Sequence, residues 1–240
     1  MTDVDIWSVR LDGPLPDDAW AVLSDSERER ARRMRLSAWR DDFVLSHYAT
    51  RQILARYIAT DPAVLVFHRG THGKPKAAGL VEFSLSHTDG LALVAVSTAE
   101  VGVDVEMTRQ PLPAEGLISR CLTANEQAIV AGVGNDTTTA FLRYWTAKEG
   151  YLKGLGIGLA EPLENVEVHW DGPAIARIAR GGATDRRWML RALEVGPDHI
   201  AAVAVNAPQS VAVRYRDFNL PGRYRSRVPG GSARKAAARA

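Results

Sequence analysis

A single cysteine, Cys121, leaves this 240-residue chain with no internal disulfide and no thiolate metal cage. The amino terminus, Met1-Thr2-Asp3-Val4-Asp5-Ile6-Trp7, lacks the basic start and long apolar stretch of a secretory signal. No uncharged apolar run approaches the roughly 20 residues of a membrane span. The expectation is a reduced, cytoplasmic setting. Phosphate-cradling loops are missing as well: there is no G-x-x-x-x-G-K-S/T, and no G-x-G-x-x-G follows a strand. Gly154-Leu155-Gly156-Ile157-Gly158 is glycine-rich but follows a helical stretch. A large excess of one charge sign is lacking too, since the formal net charge is only +2. That excludes a polyanion partner argued from bulk charge. The distribution is uneven, however. From Arg214 onward there are eight Arg and Lys against one acid, Asp217.

What is present is an average globular composition, 46% apolar and 24% charged, in a chain long enough to bury a substantial core. Val4 to Arg10 alternates as a strand. Ser24-Asp25-Ser26-Glu27 has capping-box spacing and opens a helix through Arg33. Ser37 to Ala59 reads as a longer helix with Phe43, Val44, Tyr48, Ile53 and Leu54 on one apolar face. Val64 to Phe67 reads as a short strand. Val81 to Leu85 and Leu91 to Ser97 read as a hairpin about Thr88-Asp89-Gly90. Thr139 to Lys153 is helical, ended by Gly154 and Gly156, and the remainder is rich in strands. Leu91–Ser97 and Ile200–Asn206 share a texture, a hint of internal duplication. After Leu220 the Pro, Gly, Ser, Ala and Arg content predicts a disordered tail. The order of elements fits an α+β protein of two similar halves.

Two segments carry candidate chemistry. In Val101-Gly102-Val103-Asp104-Val105-Glu106 the period of two sets Asp104 and Glu106 on one strand face, about 7 Å apart. Such a pair suits a hard cation that takes oxygen ligands, and equally the wet side of an ordinary amphipathic strand. Gly102 inside the strand marks close approach of another backbone or a ligand. In Phe141 to Lys153, Glu149 and Lys153 are i and i+4 on one helix face: a metal-binding acid beside a phosphate-binding ammonium, or a surface ion pair. Upstream, Lys74 offers a point charge that Pro75 stiffens, and His87 beside a turn reads by itself as a surface histidine.

Taken together, Val101-Gly102-Val103-Asp104 and Trp145-Thr146-Ala147-Lys148-Glu149-Gly150-Tyr151-Leu152-Lys153 resemble the bipartite signature of the phosphopantetheinyl transferases. Arg120-Cys121-Leu122-Thr123-Ala124-Asn125-Glu126 between them, and Gly73-Lys74-Pro75 and Ser86-His87 before them, also look like that family's segments. The length is similar to its two-halved, surfactin-type branch. Gly150 stands where Ala or Ser is usual, and Ser84 where Asn is usual.

The resemblance implies two α+β halves related by a pseudo-twofold, each with a small antiparallel sheet and a long helix. Residues 1–100 would contact the coenzyme A nucleotide, 101–216 would carry the metal and catalytic acids, and 217–240 would form the basic tail. It implies Mg²⁺ on Asp104, Glu106 and Glu149, with Glu149 as base and Lys153, aided by Lys148, at the phosphates. Lys74, Pro75, Ser86, His87 and Arg51 would contact coenzyme A; Arg56 or His47 are alternatives to Arg51. The implied partner is an acidic acyl or peptidyl carrier protein, met by Arg109, Arg120, Leu112 and Leu117. A monomer without nucleic-acid or membrane partners follows. The rival expectation is a binding module working through the basic tail.

Overall fold

In a computed structural model that describes residues 2–70, 72–109, 115–207 and 211–220, the chain starts with β1 (Thr2–Arg10). A short α1 (Ala19–Val22) leads to α2 (Asp25–Arg32), whose capping box between Ser24 and Glu27 is formed. Next comes the long α3 (Ser37–Ile58), closed by Ala59 in the left-handed region at φ 54°. The strand expected at 64–67 is absent. Asp61 instead accepts the N–H of Ala63 and, with Pro62, winds a 3₁₀ turn, Pro62–Val64. Val64 and Val66 are exposed, so nothing there rewards pairing.

Two short strands, β2 (His68–Arg69) and β3 (Pro75–Lys76), pair beneath the loop that carries Lys74. The hairpin β4 (Glu82–Thr88) and β5 (Leu91–Ser97) follows, then β6 (Val101–Met107). The second half continues with α4 (Glu115–Cys121), α5 (Ala124–Gly132) and α6 (Thr137–Leu155). Thr123 and Glu126 cap α5 reciprocally. Gly156, at φ 76°, ends α6 as expected; the helix runs two residues past Lys153, so Gly154 lies inside it. The remaining strands are β7 (Val166–Asp171), β8 (Ile175–Arg180), β9 (Ala183–Thr184), β10 (Trp188–Leu193), β11 (His199–Asn206) and β12 (Val211–Phe218).

The strands form two main sheets, β12-β1-β5-β4 and β6-β11-β10-β8-β7. One face of the first packs on α3, and one face of the second on α6. The opposite faces share a third core, in which Val4, Ile6, Leu93 and Ala95 meet Val101, Val103, Val203 and Val205. Leu91–Ser97 and Ile200–Asn206, alike in sequence, hold equivalent places, each one strand in from the edge at which the two sheets meet.

The carboxyl end corrects the expected division. Residues 211–218 form a strand parallel to β1, so a boundary between 216 and 217 cuts through β12, and the first sheet is not purely antiparallel. The cause is charge as well as backbone pairing. Arg214 reaches Asp3 at 3.0 Å and Asp5 at 2.8 Å, and Arg216 reaches Asp5 at 3.1 Å. Burial pushes the Asp5 carboxyl up, but Tyr57, Arg214 and Arg216 hold it below the usual range. Part of the basic excess is thus spent inside the fold. The tail from 221 onward lies outside the described residues.

Candidate active site

Edge strands β4 and β6 face one another across the seam between the sheets, joined by side chains. Phe83, Leu85 and His87 turn to a cleft under α3, and Ser84 and Ser86 turn to β6. Ser84 Oγ accepts the N–H of Val103 at 3.1 Å, and Ser86 donates to Asp104 Oδ1 at 2.7 Å. Lys74 clips the seam from below: its Nζ donates to the carbonyls of Val101 and Gly154, both at 2.9 Å. Lys74 was expected as a free charge for phosphate. Two of its three N–H groups are held by backbone, and burial pulls its pKa down. It still lines the cleft, as does the exposed Pro75.

Gly102 lets α6 press directly onto β6. A Cβ there would lie 2.0 Å from the Gly150 carbonyl oxygen and 2.2 Å from the Gly154 nitrogen. This contact sets Glu149 and Lys153 of α6 beside the acids of β6. Asp104 is 3% exposed and Glu149 9%. Lys153 Nζ donates to Asp104 Oδ1 at 2.5 Å and to Ser86 at 2.9 Å. Glu106 accepts the indole N–H of Trp145 at 3.2 Å. Burial, and then the charge of Asp104, pushes Glu106 up to about 7 and raises Glu149 as well.

Among the described residues, no group of three or more His, Cys, Asp or Glu side chains stands arranged to hold a metal ion. The donor set itself nevertheless suits a hard divalent cation. Asp104 Oδ2 and Glu149 Oε1 are buried with no hydrogen-bond partner, and such oxygens are costly unless something positive meets them. The ammonium of Lys153 already covers Asp104 Oδ1.

The cleft beside these groups has a volume of about 380 Å³ and draws walls from both halves, with Arg30, Phe43, His47, His87 and Lys153 among them. It runs on into a cavity of about 430 Å³ that shares Arg30, Phe43 and His47 and extends toward Arg51. His47 stacks on Phe43 with ring centroids 3.8 Å apart, and its Nδ1 lies 2.9 Å from the Phe43 carbonyl oxygen. Burial lowers His47 to about 4. Desolvation in the cleft, then the charges of Lys153 and Arg30, lowers His87. The guanidinium of Arg30 lies 5.2 Å from the Phe43 ring centroid, exposed at the rim. Sequence reasoning missed it, because a run of arginines on a charged helix does not say which one overhangs a cleft.

Several expected residues have other work. Lys148, expected at the phosphates, is fully buried on the far side of α6; it holds Glu126 at 2.5 Å and the carbonyls of Cys121 and Leu163. Arg51 is 1% exposed, paired to Glu27 at 2.8 Å and to the carbonyls of Pro62 and Leu65. It braces α2 and the 3₁₀ turn against α3 from the cavity wall. Arg56 lies over Trp7 and Phe218, away from the cleft. Arg109 pairs with Asp198, and Arg120 is exposed on α4. Leu112 and the side chain of Leu117 lie outside the described residues.

Residues 100–204 match the family model described as the 4′-phosphopantetheinyl transferase superfamily. The 4′-phosphopantetheinyl transferase HetI of a Nostoc species is 34% identical over 215 residues, 85% of this chain and 87% of that one. A phosphopantetheinyl transferase of a Thraustochytrium species is 30% identical over 84% of this chain and 78% of its own. The 4′-phosphopantetheinyl transferase Sfp of Bacillus subtilis is 24% identical over 85% and 92%.

Proposed function

The chain belongs to the 4′-phosphopantetheinyl transferase superfamily, and from that premise we propose that it transfers 4′-phosphopantetheine from coenzyme A to a serine of an acyl or peptidyl carrier protein. The observation that supports this reading best is the pair of buried, unpartnered oxygens, Asp104 Oδ2 and Glu149 Oε1, beside a lysine that lines a two-walled cleft.

In this reading the coenzyme lies in the cleft, its phosphates met by Arg30, His87 and Lys153. Pro75 and the loop of Lys74 frame it, with Lys74 keeping the wall closed. Ser86 acts mainly by orienting Asp104. Asp104, Glu106 and Glu149 would hold Mg²⁺, which when bound supplies positive charge to a pyrophosphate as its bridge breaks. The carrier serine oxygen forms its bond to the phosphorus bearing the pantetheine arm. The bond from that phosphorus to the bridging oxygen breaks, and adenosine 3′,5′-bisphosphate leaves. The serine proton passes to Glu149, directly or through one water. A carboxylate whose pKa is raised toward neutrality is the better general base. Lys153 offsets the charge gathering on the phosphate oxygens.

The division of labour follows the seam. Residues 1–100 supply most of the nucleotide wall and 101–216 the acids. We further read the enzyme as a cytoplasmic monomer without nucleic-acid partners. No helix among the described residues is long and apolar enough to cross a membrane. A binding module acting only through the basic tail draws nothing from relatives that align over most of the chain.

The test is to incubate the protein with Mg²⁺, coenzyme A and a panel of apo carrier proteins, then weigh the carriers. A mass gain of one phosphopantetheine on a carrier, lost when its serine is changed to alanine, is expected. Folded enzyme that modifies none of the panel overturns the reading.

A further inference from the structure

Asp104 presents two unlike oxygens. Oδ1 is filled from two sides, by Ser86 at 2.7 Å and Lys153 at 2.5 Å, and Lys153 also touches Ser86 at 2.9 Å. Oδ2 is buried with no partner, as is Oε1 of Glu149 one helical turn before Lys153. The site therefore carries three acids and one cation of its own. A divalent cation drawn to the same oxygens meets an ammonium already seated there, and like charges in a poorly hydrated pocket repel strongly. Lys153 also has somewhere to go. Its side chain is 31% exposed and lines the 380 Å³ cleft with Arg30 and His87.

We propose that Lys153 is the resident counter-ion of the acid site, that it competes with the divalent cation in the free protein, and that a phosphate ligand entering the cleft draws it off Asp104. Metal and phosphate then bind cooperatively, and the coupling runs equally in both directions. The free protein holds metal poorly and acquires it together with its phosphate substrate. Trp145, which fixes Glu106, and Ser86, which stays on Asp104, keep the acids aimed during the exchange. The proposal rests on the transferase reading only in naming coenzyme A as the phosphate ligand. The competition between Lys153 and metal stands without it.

Calorimetric titration of Mn²⁺ tests this, with and without coenzyme A and with no carrier present, after correction for metal bound by coenzyme A itself. The proteins are wild type, Lys153→Met, Lys153→Gln and Lys153→Arg, each checked for native thermal unfolding. Removing an opposite charge in contact with a carboxylate alters its binding equilibria by about tenfold or more. Without coenzyme A, Met or Gln should therefore tighten Mn²⁺ binding at least about tenfold, and Arg should not. Coenzyme A should tighten metal binding by wild type more than by the Met variant. Equal or weaker metal binding by both neutral variants overturns the proposal, as does no metal binding by any of the four. Bound coenzyme A that leaves the wild-type metal affinity unchanged overturns the coupling. Coenzyme A that fails to bind counts against the transferase reading instead, and the metal-only comparison still decides whether Lys153 competes.

Discussion

Lys148 Nζ lies 2.5 Å from Glu126 Oε2, and neither side chain reaches solvent. Glu126 also accepts the N–H groups of Thr123 and Val168, so this one pair ties α5, α6 and β7 together. A buried pair is weak evidence for net stability, but breaking one leaves a naked charge. Lys148→Met should cost about 3–5 kcal/mol in urea unfolding. Whatever remains folded should bind coenzyme A within about twofold of wild type, because this ammonium does not line the cleft. A small stability loss with a large rise in the KM for coenzyme A would return Lys148 to the phosphates.

Gly102 and Gly150 face each other across the contact between β6 and α6, yet they differ in what they tolerate. A methyl group at 102 meets backbone at 2.0 Å, which cannot yield without parting strand from helix. Gly102→Ala should cost upward of about 3 kcal/mol and lower the Tm sharply. At 150 the nearest atom is the Ala202 carbonyl oxygen at 3.3 Å. The better helix propensity of alanine offsets that squeeze, so Gly150→Ala should stay within about 1 kcal/mol of wild type. Similar thermal shifts for the two variants would contradict this contrast.

Glu149→Gln keeps the shape and removes the base. At saturating Mg²⁺ and coenzyme A, the kcat for carrier modification should fall by about 10²–10⁴. Stability should move the other way. The folded pKa of Glu149 is raised by burial and by Asp104, so its ionised form opposes folding above the unfolded pKa. At pH 8 and without metal, the glutamine variant should melt at the same temperature as wild type or higher.

His47 provides the pH prediction. Its folded pKa of about 4 lies below the ordinary 6.5, so the folded state disfavours its protonation. The stability this lends is complete above about pH 6.5 and drains away as pH falls toward 4. His47→Asn can keep a donor to the Phe43 carbonyl without taking up a proton. Acid-side loss of stability between pH 7 and 4.5 should therefore be smaller in the variant, read from denaturant midpoints at each pH. Parallel curves would mean that His47 charges freely.

Local pattern announced a good deal of this molecule. Period-two alternation placed the strand β6, and the spacing of Ser24 with Glu27 announced a helix start. The lone glycine inside β6 marked the close backbone contact. Side-chain partners far apart in the chain were not legible. Helical spacing puts Lys148 and Arg51 on a face, but only the packed structure shows Glu126 and Glu27 waiting there. Nor did composition reveal β12, because its arginines resemble a solvated tail until Asp3 and Asp5 stand opposite. The overhang of Arg30 depends on how α2 meets α3, a tertiary matter held in part by Arg51 and Glu27.

The parallel pairing of β1 with β12 brings Thr2 opposite Val211, so β1 waits for a partner strand made much later. Until then β1 has β5 on one side and an open edge on the other, a template for unwanted pairing. Such long-range closure slows folding and lengthens the exposure of partly folded chains. The two halves therefore do not amount to separable modules. A fragment ending near residue 100 lacks both β12 and the β6 wall of the shared core, and it should collect in the insoluble fraction. Circular permutation would need a linker as long as the strand itself, because parallel pairing sets the start of β1 beside Val211 and the end of β12 beside Val9.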